Sequence, residues 1–190
     1  MPRPSAKGKL LEAGLATLHA KGFNGCSIQD ITEAAGVPKG SFFNHFATKE
    51  GLALEVHAIY CANFHIEMLF DKTKRPLDRL RDHFVFLADG YEKWGFERGC
   101  LLGNLRAEMA PSYPQMRQAL QESYEAWTGA VASVLRDAQA EGEVDSRLNV
   151  EHVARFLVNA WEGLAMQLKV LKRRSLVDEY LDVTFRVLLK

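Results

Sequence analysis

Apolar residues recur along almost the whole chain at steps of three and four, the spacing of one helix face, and nowhere in the sustained alternation of a strand. The pattern predicts an all-α protein of about nine helices. A first helix over residues 5–21 points Leu11, Gly14, Leu15 and Leu18 inward and stops at Gly22. Ser27 opens the second, with Asp30 three residues on to complete a capping box, and Ala35-Gly36 closes it. A short third helix covers about 39–46. Thr48 caps a long fourth, whose Leu52, Val56, Ile59, Ile66 and Phe70 share a face. Pro76 starts a fifth, striped by Leu77, Leu80, Phe84, Leu87, Tyr91 and Trp94. Gly95 and Gly99 break the chain before a short sixth helix near 100–109. The seventh follows Pro111 and Pro114 and ends near Gly142. Asn149 caps the eighth, and Val177, Leu181 and Leu188 mark the ninth. The apolar band on helices eight and nine is wider than one side of a small domain needs, so it predicts a homodimer joined through that helix pair. The alternative is an interior position in a larger bundle.

Ser27 to Phe46 holds two short helices separated by a Gly-containing turn, the helix-turn-helix arrangement whose second helix enters the DNA major groove. Ile28, Ile31, Ala35 and Val37 are spaced to pack this motif on the first helix, and Phe42 and Phe46 to pin its second helix. Lys39, Ser41, Phe43, Asn44 and His45 are left pointing outward. An outward Phe suits thymine methyls or sugar edges, and Asn44 can hydrogen-bond a base edge. Ser27, Lys39 and Lys49 offer helix-terminal and cationic contacts to phosphates. An ordinary helical hairpin has the same periodicity.

Residues from about Lys9 to Leu54 carry an ordered set of elements: Gly22-Phe23, Ser27-Ile28, Ala34-Ala35-Gly36-Val37, Lys39-Gly40-Ser41-Phe42-Phe43 and His45-Phe46-x-Thr48-Lys49-Glu50. The set resembles the N-terminal DNA-binding domain of the TetR family of repressors. The resemblance implies a helix-turn-helix domain over residues 1–48 and a ligand-binding and dimerisation domain over 49–190. It implies a homodimer whose recognition helices read a palindromic operator, with Ser27, Lys39, Gly40, Ser41, Phe43, Asn44, His45 and Lys49 facing DNA. Phe43 departs from the family, which usually carries Tyr there; without the hydroxyl it cannot bond the DNA backbone. The resemblance also implies a one-component regulator released by a small molecule.

Charge changes this picture little. The net charge is zero, but residues 1–49 hold six cations (Arg3, Lys7, Lys9, Lys21, Lys39, Lys49) against Glu12, Asp30 and Glu33. That surplus of three suits a segment meeting phosphates. The N-terminus lacks the apolar stretch of a signal peptide, no run reaches membrane-spanning length, and Cys26, Cys61 and Cys100 are dispersed. Together these predict a cytoplasmic protein with no membrane partner and no disulfide framework.

Aromatic residues predict where the inducer sits. Tyr60, Phe64, Phe84, Trp94, Trp127 and Trp161 can line an apolar site between helices, with Asn63 and Asn104 to orient a ligand. The same aromatics can equally fill a core. The segment Arg98-Gly99-Cys100-Leu101-Leu102-Gly103-Asn104 resembles a branch of the family that responds to electrophiles such as N-ethylmaleimide or acrylate. Cys100, at a helix start beside Arg98, is then either a reactive thiol or an inert buried cysteine. His57, Cys61 and His65 invite a metal or redox sensor as the alternative. The outer pair is about 12 Å apart along a helix, too far for one ion, so structural histidines and no metal or cofactor are expected. No HExxH, GxSxG or phosphate-binding glycine loop is present, and no enzymatic role is expected. A helical interaction module without DNA binding remains the other alternative.

Overall fold

Ser5 accepts the N–H of Gly8 at 3.1 Å and starts α1 (Ala6–Lys21), which Gly22 ends at a positive φ of 75° that suits glycine. The structure, a computed structural model, describes residues 5–190; Arg3, one of the N-terminal cations, lies outside them. α2 (Ile28–Ala34) begins with a complete capping box. Ser27 Oγ accepts the N–H of Asp30 at 3.1 Å, and the Asp30 carboxylate accepts the N–H of Ser27 at 2.8 Å. Gly36, at φ 61°, turns the chain into α3 (Lys39–Phe43). Thr48 caps α4 (Lys49–Ala62), accepting the N–H of Gly51 at 3.1 Å.

The fourth helix is shorter than its apolar spacing predicts. It stops at Asn63, whose side-chain amide donates to the carbonyl of Ile59 at 2.9 Å, the same oxygen its backbone N–H reaches. His65 then takes a left-handed conformation at φ 52°, and residues Ile66–Phe70 form a separate 3₁₀ turn. Ile66 and Phe70 therefore do not extend the α4 stripe. The remaining helices follow the expected order: α5 (Pro76–Lys93), α6 (Leu101–Met109), α7 (Pro114–Ala140), α8 (Val150–Leu171) and α9 (Ser175–Asp182), which runs into a π-helical segment Val183–Leu188. Nine α-helices and no strand are present among the described residues. Among the described residues no helix is long and apolar enough to cross a membrane.

The chain divides into two compact units. The first ends at Asn63 and also takes in Cys100–Gln121; the second comprises Phe64–Gly99 and Glu122–Lys190. Leu10, Leu18, Ile31, Phe42, Phe46, Leu52 and Val56 are buried in the first unit, joined by Leu101, Leu105 and Met109 of α6. In the second, Leu80, Phe84, Tyr91, Trp127, Leu157, Trp161 and Leu168 are buried.

Candidate nucleic-acid interface and aromatic cluster

The short helix α3 is set by two inward rings. Phe42 is fully buried and packs on Phe46 with ring centroids 5.5 Å apart. With Phe42 inside, the helical period turns Lys39, Gly40, Phe43 and Asn44 outward, and all four are exposed, as is His45. Ser41 is half-buried. Phe43 is 54% exposed, so its ring is available to an apolar partner on this side of the helix. Of the outward set predicted from sequence, Lys39, Phe43, Asn44 and His45 are thus exposed together on α3 and the turn that follows it, and Ser41 is turned away from them.

Ser27 and Lys49 stand differently. Ser27 is exposed, but its hydroxyl bonds the Asp30 carboxylate, so an anion of the protein already occupies the N-terminus of α2. Lys21 pairs with Asp30 at 2.5 Å, and these bonds hold the Asp30 carboxyl well below the usual carboxylate range, Lys21 first and Ser27 second. Lys49 donates to the carbonyls of Phe23 at 2.7 Å and Cys26 at 2.5 Å, and its ammonium sits 4.1 Å from the Phe23 ring centre. Its charge fastens the loop between α1 and α2. Sequence spacing gave no sign of this, because the carbonyls lie 23 and 26 residues away.

The aromatic residues form a continuous cluster in the second unit. Phe64 packs edge-on against Trp127 at 4.8 Å and against His83 at 5.7 Å. Phe84 meets Trp161 at 4.9 Å and Tyr180 at 5.2 Å. Trp161 donates to the Tyr91 hydroxyl at 3.4 Å, and Tyr180 donates to the carbonyl of Leu157 at 3.0 Å. Burial pushes the Tyr180 hydroxyl far up from its ordinary pKa, so it stays protonated. Trp94 is half-buried beneath the Arg98 guanidinium, 5.1 Å from its ring centre.

Tyr60, Asn63, Cys100 and Asn104 belong to the first unit. The Tyr60 ring meets His19 at 5.5 Å, and Cys100 is buried at the N-cap of α6. His57 Nε2 lies 3.6 Å from the Cys61 sulfur, whereas His65, in the other unit, bonds Glu67 at 2.7 Å. Among the described residues no three His, Cys, Asp or Glu side chains converge where they could hold a metal.

One buried residue escaped the sequence reading of the ligand site. His83 is fully buried beside Phe64, Phe84 and Trp127, and its Nε2 accepts the indole N–H of Trp127 at 3.0 Å. The only hint in the sequence is that His83 falls four residues after Arg79 and between the apolar positions 80 and 84 of α5.

Residues 10–56 match the model of the bacterial regulatory proteins of the tetR family, and residues 76–183 match that of a tetracyclin repressor-like C-terminal domain. The chain is 30% identical over 192 residues to the HTH-type transcriptional repressor DhaR of Mycobacterium sp. (strain GP1), covering 100% of this chain and 95% of DhaR. It is 36% identical over 168 residues to the transcriptional regulator AcuR of Cereibacter sphaeroides, covering 87% and 77% of the two chains. The crystal structure of a regulatory protein TetR from Rhodobacter sphaeroides superposes with a TM-score of 0.88 at 33% identity, covering 95% of this chain and 96% of that one.

Proposed function

Because the chain belongs to the TetR family of bacterial regulatory proteins, we propose that it is a cytoplasmic one-component repressor that binds a palindromic operator as a homodimer and lets go when a small molecule binds. The observation that carries the reading is α3: a helix anchored by Phe42 and Phe46 that turns Lys39, Phe43 and Asn44, with His45 beyond its end, to solvent. In the major groove Asn44 reads a base edge and Phe43 covers thymine methyls. The bare Gly40 allows close approach, and Lys39, Ser41 and His45 reach the backbone. Ser27 stands at the margin of this surface. Lys49 acts by holding the α1–α2 loop as well as by its charge. Relatives that are repressors, DhaR among them, support the sign of the regulation.

DNA contact is assigned to residues 1–48 and effector binding with dimerisation to 49–190. The first compact unit then carries α4 and α6 of the sensing part together with the helix-turn-helix, so a change in either helix is felt by the DNA-binding elements directly.

The dimer is assigned to α8 and the π-helical segment. The buried face of α8 carries Ala154, Leu157, Val158, Trp161, Ala165 and Leu168. On the opposite side Phe156 is 58% exposed, Met166 64% and Val170 75%, at steps that keep them on one stripe. Val183 and Val187, 55% and 70% exposed, add a second apolar strip. Two such faces pair naturally about a two-fold axis.

The test is selection of bound fragments from genomic DNA with the purified chain. A recovered palindrome with half-sites about one helical turn apart is the expected result. Recovery of no enriched sequence would remove the operator-binding reading.

A further inference from the structure

Two buried polar atoms of the second unit lack a hydrogen-bond partner, and they lie on one face of one helix. Arg79 and His83 are four residues apart on α5, so their side chains leave the same side of it, one turn apart. Arg79 is 2% exposed and His83 is fully buried. Arg79 Nε and His83 Nδ1 are the buried side-chain nitrogens left unbonded among the described residues.

The neighbour of His83 decides what Nδ1 is. An indole N–H can only donate, and that of Trp127 donates to His83 Nε2 at 3.0 Å. Nε2 therefore holds the lone pair, and the neutral ring carries its proton on Nδ1. Burial pushes the His83 pKa down to about 4, against the pull of Glu67 and of the His65 backbone, so the ring is neutral near pH 7. The His65 backbone acts on the ring as a weak hydrogen-bond partner, but it gives Nδ1 no well-formed bond. Nδ1–H is thus a donor without a well-formed acceptor in an aromatic surround of Phe64, Phe84 and Trp127. Arg79 is held by its two outer nitrogens, which donate to the carbonyl of Leu69 at 3.1 Å and to Asp137 at 3.0 Å; its Nε–H is left over.

Charge narrows the ligand. Asp137 is shared by Arg79 and Lys72, and Glu67 is bonded by His65, so two cations face two carboxylates in this neighbourhood. A carboxylate ligand would find no net positive charge there, and burying it against two donors would cost more than they return. A hydrocarbon would leave both donors unsatisfied. A carbonyl oxygen accepts two hydrogen bonds without bringing a charge.

We propose that α5 carries the polar anchor of the effector site: His83 Nδ1–H, with Arg79 Nε–H one turn away, donates to the carbonyl oxygen of a small uncharged ligand whose apolar body packs on Phe64 and Trp127. The inference rests on the ligand-responsive reading above and names the class of compound that the site takes.

The test uses the full chain and four probes of similar size: cyclohexanone and acetophenone as ketones, ethylbenzene as the hydrocarbon and benzoate as the carboxylate. Binding is read by calorimetry, and the His83 ring by ¹⁵N NMR. The free protein should show the His83 proton on Nδ1, and a ketone should shift that resonance. Both ketones should bind about tenfold or more tightly than ethylbenzene and benzoate. His83→Leu should erase that preference, and His83→Asn, which retains an N–H near the Nδ1 position, should restore part of it. A proton found on Nε2, ketones binding no better than ethylbenzene, benzoate binding best, or an unchanged preference in His83→Leu would each overturn the proposal. The NMR arm needs no variant and stands even if His83→Leu fails to fold. Operator binding is measured alongside. Absence of operator binding by the ligand-free wild type contradicts the regulator reading, whereas absence of a ketone preference with ligand-free operator binding intact contradicts the anchor alone.

Discussion

The backbone N–H of Asn24 donates to Glu108 at 2.6 Å, tying the loop that leads into the helix-turn-helix to a residue of α6. The two are 84 residues apart in sequence and belong to the same compact unit. Gly22 completes the joint. It sits at φ 75°, and a Cβ there would lie 2.2 Å from a Glu108 carboxylate oxygen. Glu108 thus joins α6 to the end of α1.

Gly22→Ala should destabilise the protein by about 1–3 kcal/mol, from backbone strain and the clash together. Glu108→Ala should relieve the clash but not the strain. In urea denaturation the double variant should thus lose less than the sum of the two single losses, because the residues share one contact. Strict additivity would separate Gly22 from Glu108.

Lys39 and Lys49 should fail in different ways. Lys39 is exposed on α3, so Lys39→Ala should lower the salt dependence of DNA binding by about one phosphate contact while leaving the melting temperature unchanged. Lys49 is bound to two carbonyls and a ring, so Lys49→Ala should cost about 1–2 kcal/mol of stability. Fluorescence anisotropy at several salt concentrations, with thermal melts of the same samples, separates the two effects.

Acid should weaken the fold through His83. Its folded pKa is about 4, below the ordinary value of 6.5, so the unfolded chain binds the extra proton between those values. The stability that His83 contributes is complete above pH 6.5 and is lost as the pH falls towards 4. Between pH 7.5 and 5 the melting temperature of the wild type should fall more steeply than that of His83→Phe. Parallel curves would contradict a neutral buried ring.

The outward face of α8 should hold the dimer together. Phe156→Glu or Val170→Asp places a charge on a stripe that is solvent-exposed within one chain, so neither should disturb the protomer itself. Each should shift sedimentation equilibrium towards monomer and weaken operator binding with it. A variant that stays dimeric would place the interface elsewhere.

Much of the fold was legible because local signals agreed with one another. The Ser27–Asp30 capping box, Gly36 and the Phe42–Phe46 pair each marked the helix-turn-helix, and each takes its expected place. The fourth helix misled because its apolar positions keep helical spacing across Asn63–His65, where the Asn63 amide and a left-handed His65 end it. The contacts made by Lys49, Glu108 and His83 were not legible, for a common reason. Their partners are Phe23, Cys26, Asn24 and Trp127, at least 23 residues away, and periodicity carries no information about such pairs. The aromatic set was found by residue type, but type alone could not show which rings meet.

The central claim is sequence-specific DNA binding through α3, and a competition titration tests it most directly. The operator recovered by selection is bound in the presence of excess random duplex DNA by the wild type and by Asn44→Ala. The wild type should prefer the operator by about a thousandfold or more, and Asn44→Ala should lose about tenfold of that preference while binding random DNA as before. Equal affinity for operator and random duplex, or an operator preference that Asn44→Ala leaves intact, would contradict recognition by this helix.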